Sequence, residues 1–286
     1  MLATTFLFAM QDGISRHLAG TYNVLTVVMF RYWFFAAFVI VLSAARKGGV
    51  RRVAQTQMFW LQCFRGVLLA GEICVMVLAF TLLGLVESHA IFAVYPLIIA
   101  ALSGPILGEA VGWRRWLAIG IGFVGMLIIL RPGVKAFSPE ALIALTAACM
   151  FALYGLLTRY VGRRDPAETS FFYTGVVGAI AITLIAPFWF APMQNAVDWA
   201  WMALLCVTGA AGHYLLIRTY EVAEASAVQP FAYFQLVFAS AMGIMLFGEA
   251  LELWTGLGAG LIVAAGVFTA WRAHVKSLSQ ATGANQ

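Results

Sequence analysis

Apolar residues fall along this chain in long runs, each near the length of a bilayer crossing and broken by short clusters of charge, glycine and proline. A spanning helix needs about 20 largely apolar residues. Cutting the runs where charge, Gly and Pro collect predicts ten spans, at 2–18, 23–45, 57–80, 86–107, 113–131, 138–158, 168–190, 198–217, 226–247 and 253–272. No charged side chain interrupts Ala90 to Gly108 or Thr169 to Val197. Strands of a membrane barrel alternate polar and apolar residues, and these runs do not. The pattern predicts an all-α polytopic membrane protein. The basic leader of a signal peptide is missing ahead of the first run, so the first membrane helix is expected to begin at once.

Composition sharpens this reading. Of 286 residues, 63% are hydrophobic and 10% charged, against about 45–50% and about 25% in soluble domains. A soluble core of this size could not hide so much apolar surface, which makes the bilayer the solvent. Ten spans use roughly 200 residues, and the rest supplies loops and a tail. No room is left for an appended soluble catalytic or nucleic-acid-binding domain.

The net charge of +5 is therefore read as orientation, since excess Lys and Arg mark cytoplasmic loops. Twelve of the 17 basic residues fall on one side of the predicted topology: Arg46, Lys47, Arg51, Arg52, Arg114, Arg115, Arg159, Arg163, Arg164, Arg218, Arg272 and Lys276. The other side keeps Arg16, Arg131 and Lys135, while Arg31 and Arg65 lie within spans. This bias predicts an inner-membrane protein with both termini cytoplasmic. Cys63, Cys74, Cys149 and Cys206 all fall in apolar stretches without paired spacing, which points to buried single thiols and to neither zinc nor a disulfide.

The chain also repeats itself. Leu107-Gly108-Glu109-Ala110-Val111 returns as Phe247-Gly248-Glu249-Ala250-Leu251, and Trp113, Gly125 and Arg131 match Trp254, Gly266 and Arg272 at an offset of 141. Two five-helix halves follow, 1–133 and 134–272, with a cytoplasmic tail at 273–286. An odd number of spans per half makes the repeats inverted, the arrangement of secondary transporters with a substrate site where the halves meet.

The paired Gly-Glu-Ala segments, Arg114-Arg115-Trp116, the Gly-rich fifth span running to Arg131-Pro132-Gly133, and Pro230-Phe231-Ala232-Tyr233 together resemble the EamA-type branch of the drug/metabolite transporter superfamily. The likeness runs over essentially the whole chain, and within the branch it is nearest the YddG-type amino-acid exporters. The resemblance implies ten helices, cytoplasmic termini, and a central cavity between the halves that opens alternately to each side. The solute is not implied.

Candidate chemistry sits inside the spans. Glu72 is mid-span, where an ionised carboxylate costs several kcal/mol or more unless paired or hydrated. It either engages a substrate ammonium or a coupling proton, or is protonated between helices. Arg65, two turns earlier, either joins it or snorkels to the cytoplasmic interface, and Arg31 resembles Arg65 in depth. His89, Pro96 and Ser103 share one face of the fourth span, and Pro96 frees a carbonyl that a water-filled cavity can satisfy. Pro230 is not the repeat mate of Pro96, since the position matching Pro96 in the second half holds Leu236.

Thr4, Gln11 and Ser15 form a polar stripe beside an i,i+4 pair of Asp12 and Arg16, and Gln229, Tyr233 and Ser240 form another. Tyr95, Tyr154 and Tyr214 add phenols at similar depth. Neutral donors with one acid match an amino acid without stranding charge. The expected substrate site is therefore Gln11, Glu72, His89, Tyr95, Tyr154, Tyr214 and Tyr233.

The other sequence features read as packing. Glu109 and Glu249 are expected to shape turns. Gly256 with Gly260, and Ala118 with Gly122, read as close helix contacts that leave the oligomeric state between a monomer and a weak homodimer. The 22 Phe and 9 Trp serve lipid and interface and do not fix an aromatic substrate.

Gly120-Ile121-Gly122-Phe123-Val124-Gly125 matches the dinucleotide fingerprint, but it lies inside a span without the strand, helix opening and distal acid that the motif requires. HExxH, GxSxG and Walker sequences are missing, so no enzyme, metal or cofactor is expected. The reading is a secondary carrier exporting amino acids or related small metabolites by alternating access. A carrier for a drug-like cation or a nucleoside, a passive channel and an intramembrane enzyme are the alternatives.

Overall fold

The computed structural model describes residues 1–109, 112–130 and 138–283. The expected boundary between the halves at 133, together with Ala110, Val111, Arg131, Pro132, Gly133 and Lys135, lies outside them. Every regular element among the described residues is helical. The helices are α1 (Leu2–Ala19), α2 (Val24–Ala44), α3 (Gly49–Val53), α4 (Phe59–Leu83), α5 (Leu85–Phe92), α6 (Tyr95–Leu107), α7 (Trp113–Leu130), α8 (Pro139–Val161), α9 (Ala167–Thr183), α10 (Ala196–Val222), α11 (Ala225–Ala232), α12 (Phe234–Phe247) and α13 (Leu253–Gly283), with a 3₁₀ turn at Ala186–Trp189. Counting α5–α6 and α11–α12 as single stretches, six are long and apolar enough to cross a membrane.

Three differences from the sequence pattern stand out. The fourth and ninth runs are each two helices. The short α3 occupies what reads as a loop. The expected tail begins as a continuation of α13, which stays helical to Gly283.

The two helix breaks correspond. Ala93, which ends α5, and Tyr233, which ends α11, are separated by the same interval as Gly108 and Gly248, although the prolines do not match. Pro96 sits at the start of α6, where its missing N–H is one of the orphan donors any helix start leaves. α6 and α12 then end alike. Gly108 and Gly248 adopt the left-handed conformation, φ 67° and 65°, which glycine supplies without a Cβ clash. Their N–H groups donate to Gly104 O (2.8 Å) and Ile244 O (3.2 Å), and the following glutamate N–H folds back onto Ser103 O and Gly243 O.

Helices before residue 131 interleave with helices after residue 137. α1 packs on α10 and α12, α4 on α8 and α9, α2 on α9, and α7 on α13. Hydrogen bonds tie the helix ends into two opposite sets. At one end Arg46 meets Glu168, Thr56 meets Asp165, and Arg163 donates to Leu107 O. At the other end Tyr22 donates to Asp198 and Ala191 N to Thr26. The outer surface is apolar, with Phe188 84%, Trp60 82% and Met245 82% exposed, whereas Gln11, Asp12, Arg31, Arg65, Glu72, His89 and His213 are buried. Polarity is inverted relative to a water-soluble fold, as lipid solvation requires. Of the four thiols expected to be buried, Cys206 is buried, Cys63 and Cys74 are half-buried, and Cys149 is exposed on this surface.

Glycines on the seams are held by shape. A Cβ on Gly178 would run into the ring of Tyr32, which is itself 1% exposed and has nowhere to swing. Gly→Ala inside a helix ordinarily stabilises by about 1 kcal/mol. Here Gly178→Ala is expected to reverse that sign and lower the temperature at which monodisperse protein is lost in detergent. Of the expected glycine contacts, Gly122 meets Leu97, but Gly260 has nothing within 4 Å. The α7–α13 seam closes instead at Gly125, where a Cβ would stand 2.7 Å from Gly258 O. Gly120, Gly122 and Gly125 thus lie inside helix α7, two of them serving packing and none a nucleotide.

Candidate functional site

The polar groups of α1, α2, α4, α10 and α12 converge on one cavity between the halves. Gln11 and Asp12 come from α1, Arg31 from α2, Glu72 from α4, His213 from α10 and Gln235 from α12, inside a wall that includes Phe8, Phe80, Phe92 and Phe151. The cavity measures about 30 Å³, room for roughly two waters by a requirement of about 10–15 Å³ each. An organic solute does not fit a space of this size.

One Arg31 nitrogen, Nη2, donates to Gln11 Oε1 at 2.6 Å and faces His213 Nε2 at 3.2 Å. A guanidinium carries only donors, so His213 Nε2 must accept, which puts its proton on Nδ1. That Nδ1 is buried without a protein partner. Asp12 takes hydrogen bonds from Gln235 Nε2 (3.2 Å) and, at the 3.5 Å limit, Gln11 Nε2, and its Oδ2 lies 3.3 Å from His89 Nε2. Glu72 is buried in the same cavity, and Asp12 and Arg31 are the charges that act on it. The site therefore gathers one permanent cation, two carboxylates and two imidazoles.

A recess of about 10 Å³ adjoins the cavity through Phe92 and Gln235, where the breaks of the two split helices face each other. His89, Tyr95 and Tyr233 line it. Tyr95 OH and Gln235 Oε1 are buried without protein partners. Buried polar atoms in native folds are nearly always hydrogen-bonded, so this concentration of unused capacity marks a place built to receive something polar.

The expected site residues divide accordingly. Gln11 and Glu72 reach the cavity, and His89, Tyr95 and Tyr233 reach the recess. Two tyrosines lie elsewhere. Tyr154 is fully buried and accepts from Arg65 Nη1 at 3.2 Å, and Tyr214 packs on Phe171 with ring centroids 5.2 Å apart. The expected Asp12–Arg16 pair gives way to other partners, Asp12 facing His89 and Arg16 reaching Glu249.

Arg65 does not snorkel either. It is 0% exposed and donates to Gln62 Oε1 (3.2 and 2.9 Å), Tyr154 OH, Thr158 Oγ1 (3.2 Å) and Ser170 O. Gln62 Nε2 passes the contact on to Asp165 at 3.0 Å. Asp12, Arg31, His213 and Gln235 also line the cavity, outside the set of residues expected from the sequence. The first three carried the available signal, an ionisable side chain within a span.

Toward the end that holds Arg16, a vestibule of about 360 Å³ opens, lined by Arg16, Thr81, Gly84, Glu87, Glu249 and Glu252. Its floor is the Arg16–Glu249 ion pair. Arg16 stands one helical turn beyond Asp12 on α1, so α1 carries a residue of the vestibule and one of the central cavity. No group of His, Cys, Asp and Glu among the described residues could hold a metal ion.

Comparison with known proteins follows the same lines. The EamA-like transporter family matches residues 1–131 and 138–271, once for each half. An S-adenosylmethionine uptake transporter of Rickettsia prowazekii is 25% identical over 275 residues, covering 95% of this chain and 90% of that protein. A riboflavin transporter of Vibrio cholerae is 28% identical over 280 residues, covering 95% and 92%. A crystal structure at 17% identity superposes with a TM-score of 0.71 over 94% of this chain and 95% of the other, a likeness of fold alone.

Proposed function

We propose that this chain, which belongs to the EamA-like transporter family, is a secondary carrier that moves small zwitterionic metabolites through the central cavity by alternating access. The single observation that carries the reading is the small central cavity, where Arg31, Asp12 and Glu72 meet among unpartnered polar atoms. A guanidinium suits a substrate carboxylate and the carboxylates suit an ammonium, so a free α-amino acid is the first candidate. The phenylalanine wall adds room for an apolar or planar portion once the cavity expands.

A second reading rests on that wall and on the relatives' names. S-adenosylmethionine keeps the α-amino carboxylate and adds a ring, and riboflavin has a ring without the zwitterion. Export was the expectation for direction, and the Rickettsia relative is named for uptake. A carrier whose two ends are built alike moves solute down whichever gradient is imposed.

The topology proposed with this function has ten membrane crossings, α5–α6 and α11–α12 each counting as one, in two inverted halves of five. Arg46, Arg51, Arg52, Arg159, Arg163, Arg164 and Arg218 cluster at one end, which the positive-inside rule makes cytoplasmic together with both termini, in an inner membrane.

Counterflow in liposomes tests the function, with labelled amino acids, S-adenosylmethionine and riboflavin as the panel and protein-free vesicles as the control. Saturable counterflow of an amino acid or S-adenosylmethionine is expected. Riboflavin alone would overturn the zwitterion, and flux without saturation or counterflow would make the protein a channel. In the same assay Glu72→Gln is expected to lower the rate about tenfold, the scale of one lost charged hydrogen bond, with membrane insertion intact. Wild-type rates in folded Glu72→Gln protein would remove Glu72 from the site.

A further inference from the structure

The repeated Gly-Glu motif carries more than a turn. Glu109 follows α6 in the first half, and its carboxylate accepts from Ala225 N (3.1 Å) and Ser226 N (3.2 Å), the first residues of α11 in the second half. Glu249 follows α12 in the second half and does the same to the first, accepting from Leu85 N (2.9 Å) and Val86 N (2.7 Å) of α5. Each glutamate thus closes the N-terminus of the other half's broken helix. The two donor pairs are separated along the chain by the same interval as the two glutamates.

An arginine attends each cap. Arg16 pairs with Glu249, and Arg159 Nε lies 3.7 Å from Glu109. The two caps stand at opposite ends of the bundle. Glu109 is at the end of the Arg163–Leu107 contact, and Glu249 is at the end of Tyr22 and Asp198.

We propose that Glu109 and Glu249 are the positioning residues of the two gates, each latching the other half's split helix over one end of the central cavity. This rests on the carrier reading. Glu249 acts through α5, whose His89 stands one turn below the capped residues and faces Asp12. Glu109 acts through α11, whose Gln229, the repeat counterpart of His89, is the buried residue one turn below. With both caps in place, the cavity is as small as described above. Admitting a solute from either end requires the cap at that end to part while the other holds.

The Glu249 carboxylate is cradled closely, since a Cβ on Gly84 would stand 2.7 Å from Oε1 and one on Gly243 2.8 Å from Oε2. A cap in so fitted a seat is either in place or out of it, which is what a two-position gate needs.

The test reads accessibility rather than transport. Met76, on the cavity wall, is replaced by cysteine in a protein whose four native cysteines are alanine. A membrane-impermeant thiol reagent is then applied from each side of oriented proteoliposomes. Glu249→Gln is expected to raise labelling from the vestibule end about tenfold, and Glu109→Gln from the opposite end by a similar factor, the shift one charged hydrogen bond can impose on a two-state equilibrium. Gly84→Ala, which unseats the carboxylate while keeping its charge, is expected to repeat the Glu249→Gln result, and serves if that variant fails to fold.

A purely structural role predicts lower stability with labelling unchanged or raised equally from both sides, and either result overturns the proposal. Saturable counterflow by the parent protein together with unsided labelling would sink the latches and keep the carrier. Sided labelling supports the latches whatever the solute panel returns.

Discussion

Arg31→Ala is expected to reduce counterflow at least about a hundredfold, because removing one member of a buried charge set leaves the others uncompensated at about 3–5 kcal/mol. One Arg31 nitrogen serves both Gln11 and His213, and two carboxylates line the cavity with it. Without the guanidinium, Gln11 Oε1 and His213 Nε2 lose their donor, and a substrate carboxylate has no cation to meet. Arg31→Lys keeps the charge on a shorter, compact head and is expected to retain about a tenth of the rate, given how poorly lysine replaces a planar fork. Counterflow on protein checked for monodispersity decides it. A folded Arg31→Ala variant with wild-type rates would take Arg31 out of the site.

The second large effect is on stability. Arg65→Met removes a fully buried guanidinium and leaves Gln62 Oε1 without its donor, with Asp165 still buried behind it, while Ser170 O keeps the hydrogen bond from Thr174 Oγ1. A loss of about 3–5 kcal/mol is expected, read as a lower temperature for loss of the monodisperse peak. Asp165→Asn added to Arg65→Met is expected to cost less than the sum of the two single changes, because the groups communicate through Gln62. An Arg65→Met protein as heat-resistant as the parent would show that the network is spared by rearrangement.

Much of this architecture was legible in the chain. Runs of apolar residues fixed the helical, membrane-embedded class, since lipid permits little else, and the Gly-Glu repeat located the ends of α6 and α12. The breaks in α5–α6 and α11–α12 were half visible. Pro96 marked one, but Tyr233 carries the other without a proline at the matching position.

The sequence points to the candidate site through its tyrosines, whereas the cavity is lined by charged groups. Tyr154 and Tyr214 share depth with the cavity residues but not direction, and spacing along a helix does not tell which neighbour a side chain meets. Asp12 and Arg16 show the same limit from the other side. An i,i+4 pair is a local expectation, and both residues were claimed by partners on distant helices, His89 of α5 and Glu249 beyond α12.

The exchanged caps also bear on how the chain is made. During synthesis α5 enters the bilayer before most of the second half exists, and the carboxylate that closes its first turn arrives 164 residues later. Arg16 waits longer still, 233 residues for the same glutamate. Until α12 is inserted, the first half holds an arginine and a helix start with their native partner missing. The earliest helices of this protein are therefore finished by one of its last, and a nascent chain stopped before Glu249 is an assembly intermediate rather than a working half.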